Sequence, residues 1–375
     1  MVTAANFMLF LSFYAIMPVL PYFLEQVFNA TDSVIGIVIS TYSVACILIR
    51  PFSGWMLDTM RRRPIYLAAY AVFMVAMGCY PLFTLLGIVV LIRFVHGLAF
   101  GVASASGTTL VTYLVPRPRL GEGLGLYGLS STIAMSVGPM IGLAAHQLLS
   151  NDYFFFATAV MVLIGLGFAS LVPVPEEKEK KRRSISLKSL FLVPATVPAI
   201  ALVFASVPYG ITTSYISLLA DEYHLPIDGG LFYTLMAVGL ALSRVFGGKM
   251  VDRYSIPVVI LISFISVTMG YILLTATSST VGFLSSAIII GLSFGLVHPA
   301  FNTLFVNIGG DDRRGVATSS YLTAFDLGIG LGILFGGIFA QLFSGFHSSF
   351  VAGAISLCIS ITIFASWYHL SWRKR

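Results

Sequence analysis

The sequence predicts an all-α membrane protein of twelve transmembrane helices, built as two six-helix halves that repeat one another. Three observations lead there. Hydrophobic residues make up 58% of the 375, charged residues only 10%, and the mean hydropathy is +0.95. A water-soluble chain of this size has too little interior to hide that much apolar surface, so its solvent is lipid. Apolar runs of bilayer length recur along the whole chain. Segments of the first half then reappear 194 residues later.

A bilayer core needs about 20 apolar residues per helix. Measured that way, spans 1 to 12 fall near 4–27, 34–57, 65–86, 88–114, 122–148, 153–174, 193–220, 230–251, 256–277, 280–307, 316–342 and 349–370. Between them lie short turn-forming stretches: NATDS, VPRPR, LSND, SST, GGDDRR and FHSS. The exception is PEEKEKKRRSISLKSL, residues 175–190, a charged, solvated linker. It divides a first half, residues 1–174, from a second, residues 191–375. Span 1 has no basic residue before it, is too long for a signal peptide and ends without a small-residue cleavage site, so it is expected to stay as a membrane helix.

The basic residues orient the chain. Lys and Arg cluster at 61–63, 117–119, 178–188, 249–253, 313–314 and 373–375, all in alternate loops or at the C-terminus. Only Arg50, Arg93 and Arg244 fall within spans, and no outward loop carries a Lys or Arg. Under the positive-inside rule both termini are cytoplasmic, in a multi-pass protein of the plasma membrane, expected to be a bacterial inner membrane. The net charge of +6 therefore trims one membrane face and argues against nucleic acid as a partner. Cys46, Cys79 and Cys358 sit in apolar runs without ligand spacing, so no metal or disulfide is expected. GIGLGILFGG, residues 328–337, lacks the Lys-Ser/Thr of a phosphate loop and reads as close helix packing; no ATPase, and no other enzyme, is expected.

The repeat is explicit in three segments. IRPFSGWMLD at 49–58 matches SRVFGGKMVD at 243–252, pairing Arg50 with Arg244, Gly54 with Gly248 and Asp58 with Asp252. The same offset pairs GLAFG at 97–101 with GLSFG at 291–295, and Gly138, Gly142 and Gln147 with Gly332, Gly336 and Gln341. Parallel repeats of six spans are one way a transporter is assembled, with its substrate near the midplane between them.

With these segments in view, GWMLDTMRRRP at 54–64 resembles the Gly-x-x-x-Asp…Arg signature of the major facilitator superfamily, in the loop between spans 2 and 3. Thr59 and Arg61 stand where that signature has a basic residue and a glycine. Arg93-x-x-His96-Gly97 in span 4 resembles the family's Arg-x-x-Gln-Gly, with His for Gln. Gly138-Pro139-x-x-Gly142 in span 5 resembles the motif of its antiporters, with Ala134 and Leu143 in place of two glycines. Pro18-x-x-Pro21 in span 1 resembles a motif of its drug exporters. The resemblance implies the major facilitator fold, with spans 1, 4, 7 and 10 around a cavity and the end of span 2 meeting the start of span 11. It implies a latch that biases the protein outward-open, carried by Asp58 with Gly54, Arg61, Arg62 and Arg63, and by Arg244 and Asp252 in the repeat. A carboxylate at a helix N-terminus contributes about 0.3–1 kcal/mol, more when partly buried. The three arginines serve either that latch, lipid phosphate or topology alone.

Arg93 lies some way into span 4, where an unpaired charge costs several kcal/mol, and His96 is one turn further on the same face. Asp326, in AFDLGIGLG, is the one acid well inside a span. Desolvation there favours its protonated form, which suits a carboxyl that loads a proton on one side and releases it on the other. Asp326, Arg93 and His96 are the expected proton-coupling residues; a neutral structural Asp326, an Arg93 that ties span 4 to its neighbours and packed histidines are the alternatives. Span 1 offers only Glu25 near its outer end, with no counterpart to the first-span acid of many drug–proton exporters. Cavity lining is expected from Asn6, Tyr14, Arg93, His96, Ser104, Ser106, Tyr209, Thr212, Thr213, His298, Asn302 and Thr303. That lining is hydrogen-bonding and slightly positive, suited to sugar-like or anionic amphiphilic cargo. The expected protein is a monomeric secondary transporter, exporting a drug, sugar-like or anionic compound by alternating access, with a proton as coupling ion and no other cofactor. A symporter or uniporter importing a polar nutrient is the alternative in mechanism, and a non-transporting receptor or lipid scramblase the alternative in class.

Overall fold

The computed structural model describes residues 1–30, 32–173, 184–227, 230–343 and 345–372. Among these residues the chain is helical throughout: α1 Val2–Ile16, α2 Val19–Phe28, α3 Asp32–Thr59, α4 Arg62–Cys79, α5 Leu86–Leu114, α6 Leu120–Leu148, α7 Asn151–Ser170, α8 Leu187–Leu190, α9 Thr196–Glu222, α10 Gly230–Arg253, α11 Ile256–Ala276, α12 Thr280–Gly309, α13 Arg314–Leu342 and α14 Phe346–Trp367. Eleven helices among the described residues are long and apolar enough to cross a membrane, and α1 with α2 makes a twelfth if the bent pair is one span. Most of the charged linker, together with the basic C-terminal residues 373–375, lies outside the described residues. Its described end carries α8, capped by Ser186 and Ser189, whose side chains bond to each other's backbone N–H groups.

Span 1 differs from the sequence expectation in being broken. Its two pieces meet at Met17 and Pro18 with a 45° bend. Pro18 and Pro21 each lack an N–H, and each ring crowds the carbonyl four residues earlier, so the helical ladder is interrupted there. Pro51, Pro139, Pro208 and Pro299 instead sit inside unbroken helices.

The repeat read from the sequence governs the helix boundaries. α6 and α13 cover the same 29 positions one offset apart, each preceded by a 3-10 turn, Arg117–Arg119 and Asp311–Arg313. The chain forms two compact units. The first comprises Met1–Val115, Tyr127–Phe191 and Asp312–Ser319; the second comprises Pro116–Leu126, Leu192–Asp311 and Ser320–Arg375. In the first, α3 packs on α5, and α7 on α1 and α4; in the second, α10 packs on α12, and α14 on α9 and α11. Each pairing in one unit has its counterpart in the other. Small residues permit the close crossings: a Cβ on Gly97 would strike the Tyr42 carbonyl, and one on Gly291 the Met236 carbonyl, the same contact one repeat later. The core of the first unit is aromatic, with Phe23, Tyr66, Tyr70, Phe73, Tyr80, Phe154 and Phe155 almost wholly buried.

Candidate functional site

The first unit contains the start of α13, and there the carboxylate of the Gly54-x-x-x-Asp58 motif finds its partner. Asp58, half-buried at the end of α3, accepts from the Gly315 N–H at 2.7 Å through Oδ1 and from the Val316 N–H at 2.9 Å through Oδ2. These are two of the N–H groups that a helix start leaves without an intrahelical acceptor, and the positive end of the helix dipole favours the charge. Gly54, one turn earlier, lets the helices touch: a Cβ there would lie 2.8 Å from the Gly315 carbonyl. Ser53 and Ser319 meet at 3.2 Å beside it.

The second unit repeats this device. Asp252 at the end of α10 accepts from the Gly121 N–H at 2.7 Å and from the Glu122 N–H at 2.9 Å, at the start of α6. A Cβ on Gly248 would lie 2.6 Å from the Gly121 carbonyl. Every member of the second cap stands one repeat offset from a member of the first. Nearby, Arg119 pairs with Glu122 at 2.8 Å and Arg117 with Asp311 at 2.7 Å.

Arg61, Arg62 and Arg63 have separate surroundings. Arg62 stacks 3.7 Å over the Tyr113 ring, with Arg314 at 4.6 Å from the same ring. Arg63 donates to the Ser170 carbonyl at 2.8 Å. Arg61 is exposed and stands at the N-cap of α4.

Deeper in the first unit, Arg93 and His96 are wholly buried on α5. Tyr80 joins them: its oxygen lies 3.5 Å from an Arg93 guanidinium nitrogen and 3.0 Å from His96 Nδ1. The guanidinium also sits 4.5 Å over the Tyr42 ring and donates to the Met17 sulfur at 3.4 Å. Asn6 is buried and donates to Ser130 at 2.8 Å. Tyr14 is half-buried among Phe10 and Phe13. Ser104 bonds back to the Gly101 carbonyl, and Ser106 is wholly buried. The antiporter-like segment faces α1: a Cβ on Gly138 would lie 2.6 Å from that of Tyr14, and one on Gly142 would strike the Ala15 carbonyl. α6 continues through Pro139 as one helix.

In the second unit His298 bonds to Tyr321 through Nδ1 and packs on Phe325, whose ring centre is 4.2 Å away. Arg244 is buried within electrostatic reach of His298 and Tyr209. Thr212 bonds to Tyr271, and Thr213 to the Gly210 carbonyl at 3.1 Å. Asn302 and Thr303 are buried on α12. Asp326 is half-buried midway along α13, next to Phe325. No group of three metal-ligating side chains occurs among the described residues.

Sequence reading missed the partners rather than the motifs. Gly121 and Gly315, which present the capped N–H groups, carry a signal that the offset could have exposed: Arg119-x-Gly121 and Arg313-x-Gly315 align. Tyr42 on α3, Tyr80 just past the end of α4 and Met17 at the break between α1 and α2 gather around Arg93 and have no such signature.

Apolar helices of bilayer length, duplicated and tied by matching carboxylate caps, define a multi-pass membrane protein built from an internal repeat. The chain belongs to the Major Facilitator Superfamily, whose sequence pattern matches residues 2–333. It is similar to the quinolone resistance protein NorA of Staphylococcus aureus, at 24% identity over 83% of this chain and 81% of that one. It is likewise similar to the staphylopine export protein of Staphylococcus aureus, at 22% identity over 80% of this chain and 79% of that one. Among solved structures, the human organic anion transporter MFSD10 superposes with a TM-score of 0.82 over 97% of both chains, at 14% identity.

Proposed function

We propose that the chain is a proton-coupled exporter that moves a small solute across the plasma membrane by alternating access, with both termini cytoplasmic. The observation that carries this reading is the matched pair of caps, Asp58 on α13 and Asp252 on α6. Each ends a helix on the side where the basic loops lie, and each grips the start of a helix that crosses from that same side. A carboxylate there holds only while the two helix ends stay together, so the pair acts as a two-point latch of the cytoplasmic side. Gly54, Arg61, Arg62, Arg63 and Arg244 support it by close approach and charge. Export is favoured over import because both curated relatives are named for export or resistance.

Asp326 is the coupling acid in this reading: it is half-buried midway along α13, inside a membrane-spanning helix. In the first unit Asn6, Tyr14, Arg93 and His96 are assigned to cargo contact, and in the second Tyr209, Thr213, His298 and Asn302; Gly138, Pro139 and Gly142 keep α6 close to α1. The chain acts as a monomer in lipid, in the inner membrane of a bacterium, and the proton is its only coupling ion. The test uses norfloxacin, a quinolone, as the probe cargo in everted membrane vesicles. Uptake driven by respiration and abolished by a protonophore supports proton-coupled export. Accumulation only in right-side-out vesicles would overturn it in favour of import.

A further inference from the structure

The Arg93 cluster has more donors than acceptors. An arginine side chain only donates, so Tyr80 accepts from Arg93 with its oxygen and keeps its own hydrogen for His96 Nδ1. That assignment puts the imidazole proton on Nε2. Arg93 Nε, His96 Nε2 and the Tyr42 hydroxyl are then three buried donors, and none has a hydrogen-bond partner. Their side chains touch: the Tyr42 ring lies under the guanidinium at 4.5 Å and against the His96 ring at 5.2 Å. Buried polar groups are almost always paired, so three unpaired donors beside one fixed positive charge are an unmet demand for acceptors.

The charge is unmet as well. Arg93 is wholly buried, and among the described residues no carboxylate pairs with it. The other acids described in this unit lie elsewhere: Asp58 caps α13, while Glu25, Asp152 and Asp312 are exposed. A cation–π contact and a thioether sulfur offset part of the cost of burying a guanidinium, but neither brings a negative charge.

We infer that Arg93, His96 and Tyr42 form an anion site, whose occupant, a carboxylate of the cargo or a free small anion, supplies the counter-charge that no described residue provides. Arg93 contributes the charge and a directed N–H, His96 an Nε2–H and Tyr42 an O–H. Tyr80 is a positioning residue, since it fixes the His96 tautomer without facing the anion. The carboxylate arm deepens the transport reading and rests on it; the site itself does not.

The test is thermal unfolding of the purified full-length chain in detergent, with gluconate as the background anion and chloride, acetate or benzoate titrated in. A bound ligand raises the melting temperature in a saturable way. Wild type should show a saturable rise with at least one of the three, and Arg93→Gln should lose it. Tyr42→Phe keeps the ring and should weaken the apparent affinity about tenfold, the effect of one buried hydrogen bond to a charged group. No saturable rise in wild type, or an undiminished one in Arg93→Gln, would overturn the inference. If Arg93→Gln does not fold, unchanged affinity in Tyr42→Phe overturns it instead. Counterflow of labelled benzoate in proteoliposomes then identifies the source: Arg93-dependent exchange means a cargo carboxylate, and chloride binding without benzoate exchange means a resident free anion. Anion binding in a protein that exchanges and exports nothing would sink the transport reading and leave the site standing.

Discussion

Changing Asp58 to Asn keeps the shape of the cap and removes its charge. The amide offers one acceptor oxygen where the carboxylate offers two, so it can satisfy Gly315 or Val316 and must turn an NH2 toward the other. One charge-assisted hydrogen bond is lost, worth about 1.5–3 kcal/mol. The charge–dipole term, at most about 2 kcal/mol for a partly buried group, overlaps with it. A net loss of about 2 kcal/mol moves a two-state equilibrium about thirtyfold. Asp252→Asn should cost the same within a small factor, because its bonds have the same lengths, 2.7 and 2.9 Å. The assay is maleimide labelling of a single cysteine at Thr213 from the cytoplasmic side, with Cys46, Cys79 and Cys358 replaced by Ser. Each mutant should label faster by up to about thirtyfold, and the double mutant faster than either. Unchanged labelling in a folded Asp58→Asn protein would show that the cap does not control access.

Two further predictions concern packing and orientation. Gly142→Ala drives a methyl into the Ala15 carbonyl, so α6 must move off α1, at a cost of about 1–3 kcal/mol; the melting temperature should fall, whereas Gly330→Ala, mid-helix with open space around it, should hold or raise it, by up to about 1 kcal/mol of helix propensity. Cysteines placed at 59–64 and 184–188 should react with an impermeant maleimide only after the cells are opened, and labelling of intact cells would reverse the proposed topology.

The sequence carried the architecture because lipid leaves few options: every spanning segment must satisfy its own backbone, so apolar length alone marks a helix. Asp58 and Asp252 were legible because the repeat shows each motif twice. Their partners were harder, since a backbone N–H has no residue signature; Gly315 and Gly121 signal only that a backbone comes close. The break at Pro18 was present as two prolines, yet Pro139 and Pro299 sit in unbroken helices. Composition alone does not separate those cases, because neighbouring helices decide whether a freed carbonyl is satisfied. Tyr80 and Tyr42 could not be linked to Arg93 from sequence at all, because α3, α4 and α5 converge only through tertiary packing.

We propose that a proton drives this carrier and that Asp326 carries it. Asp326→Asn holds the side chain in its protonated shape and removes its titration. In everted vesicles the mutant should lose norfloxacin accumulation driven by the proton gradient, while counterflow exchange of norfloxacin across proteoliposomes persists, since exchange moves no net proton. Gradient-driven accumulation at the wild-type level in a folded Asp326→Asn protein would refute its coupling role and move the coupling proton to another group.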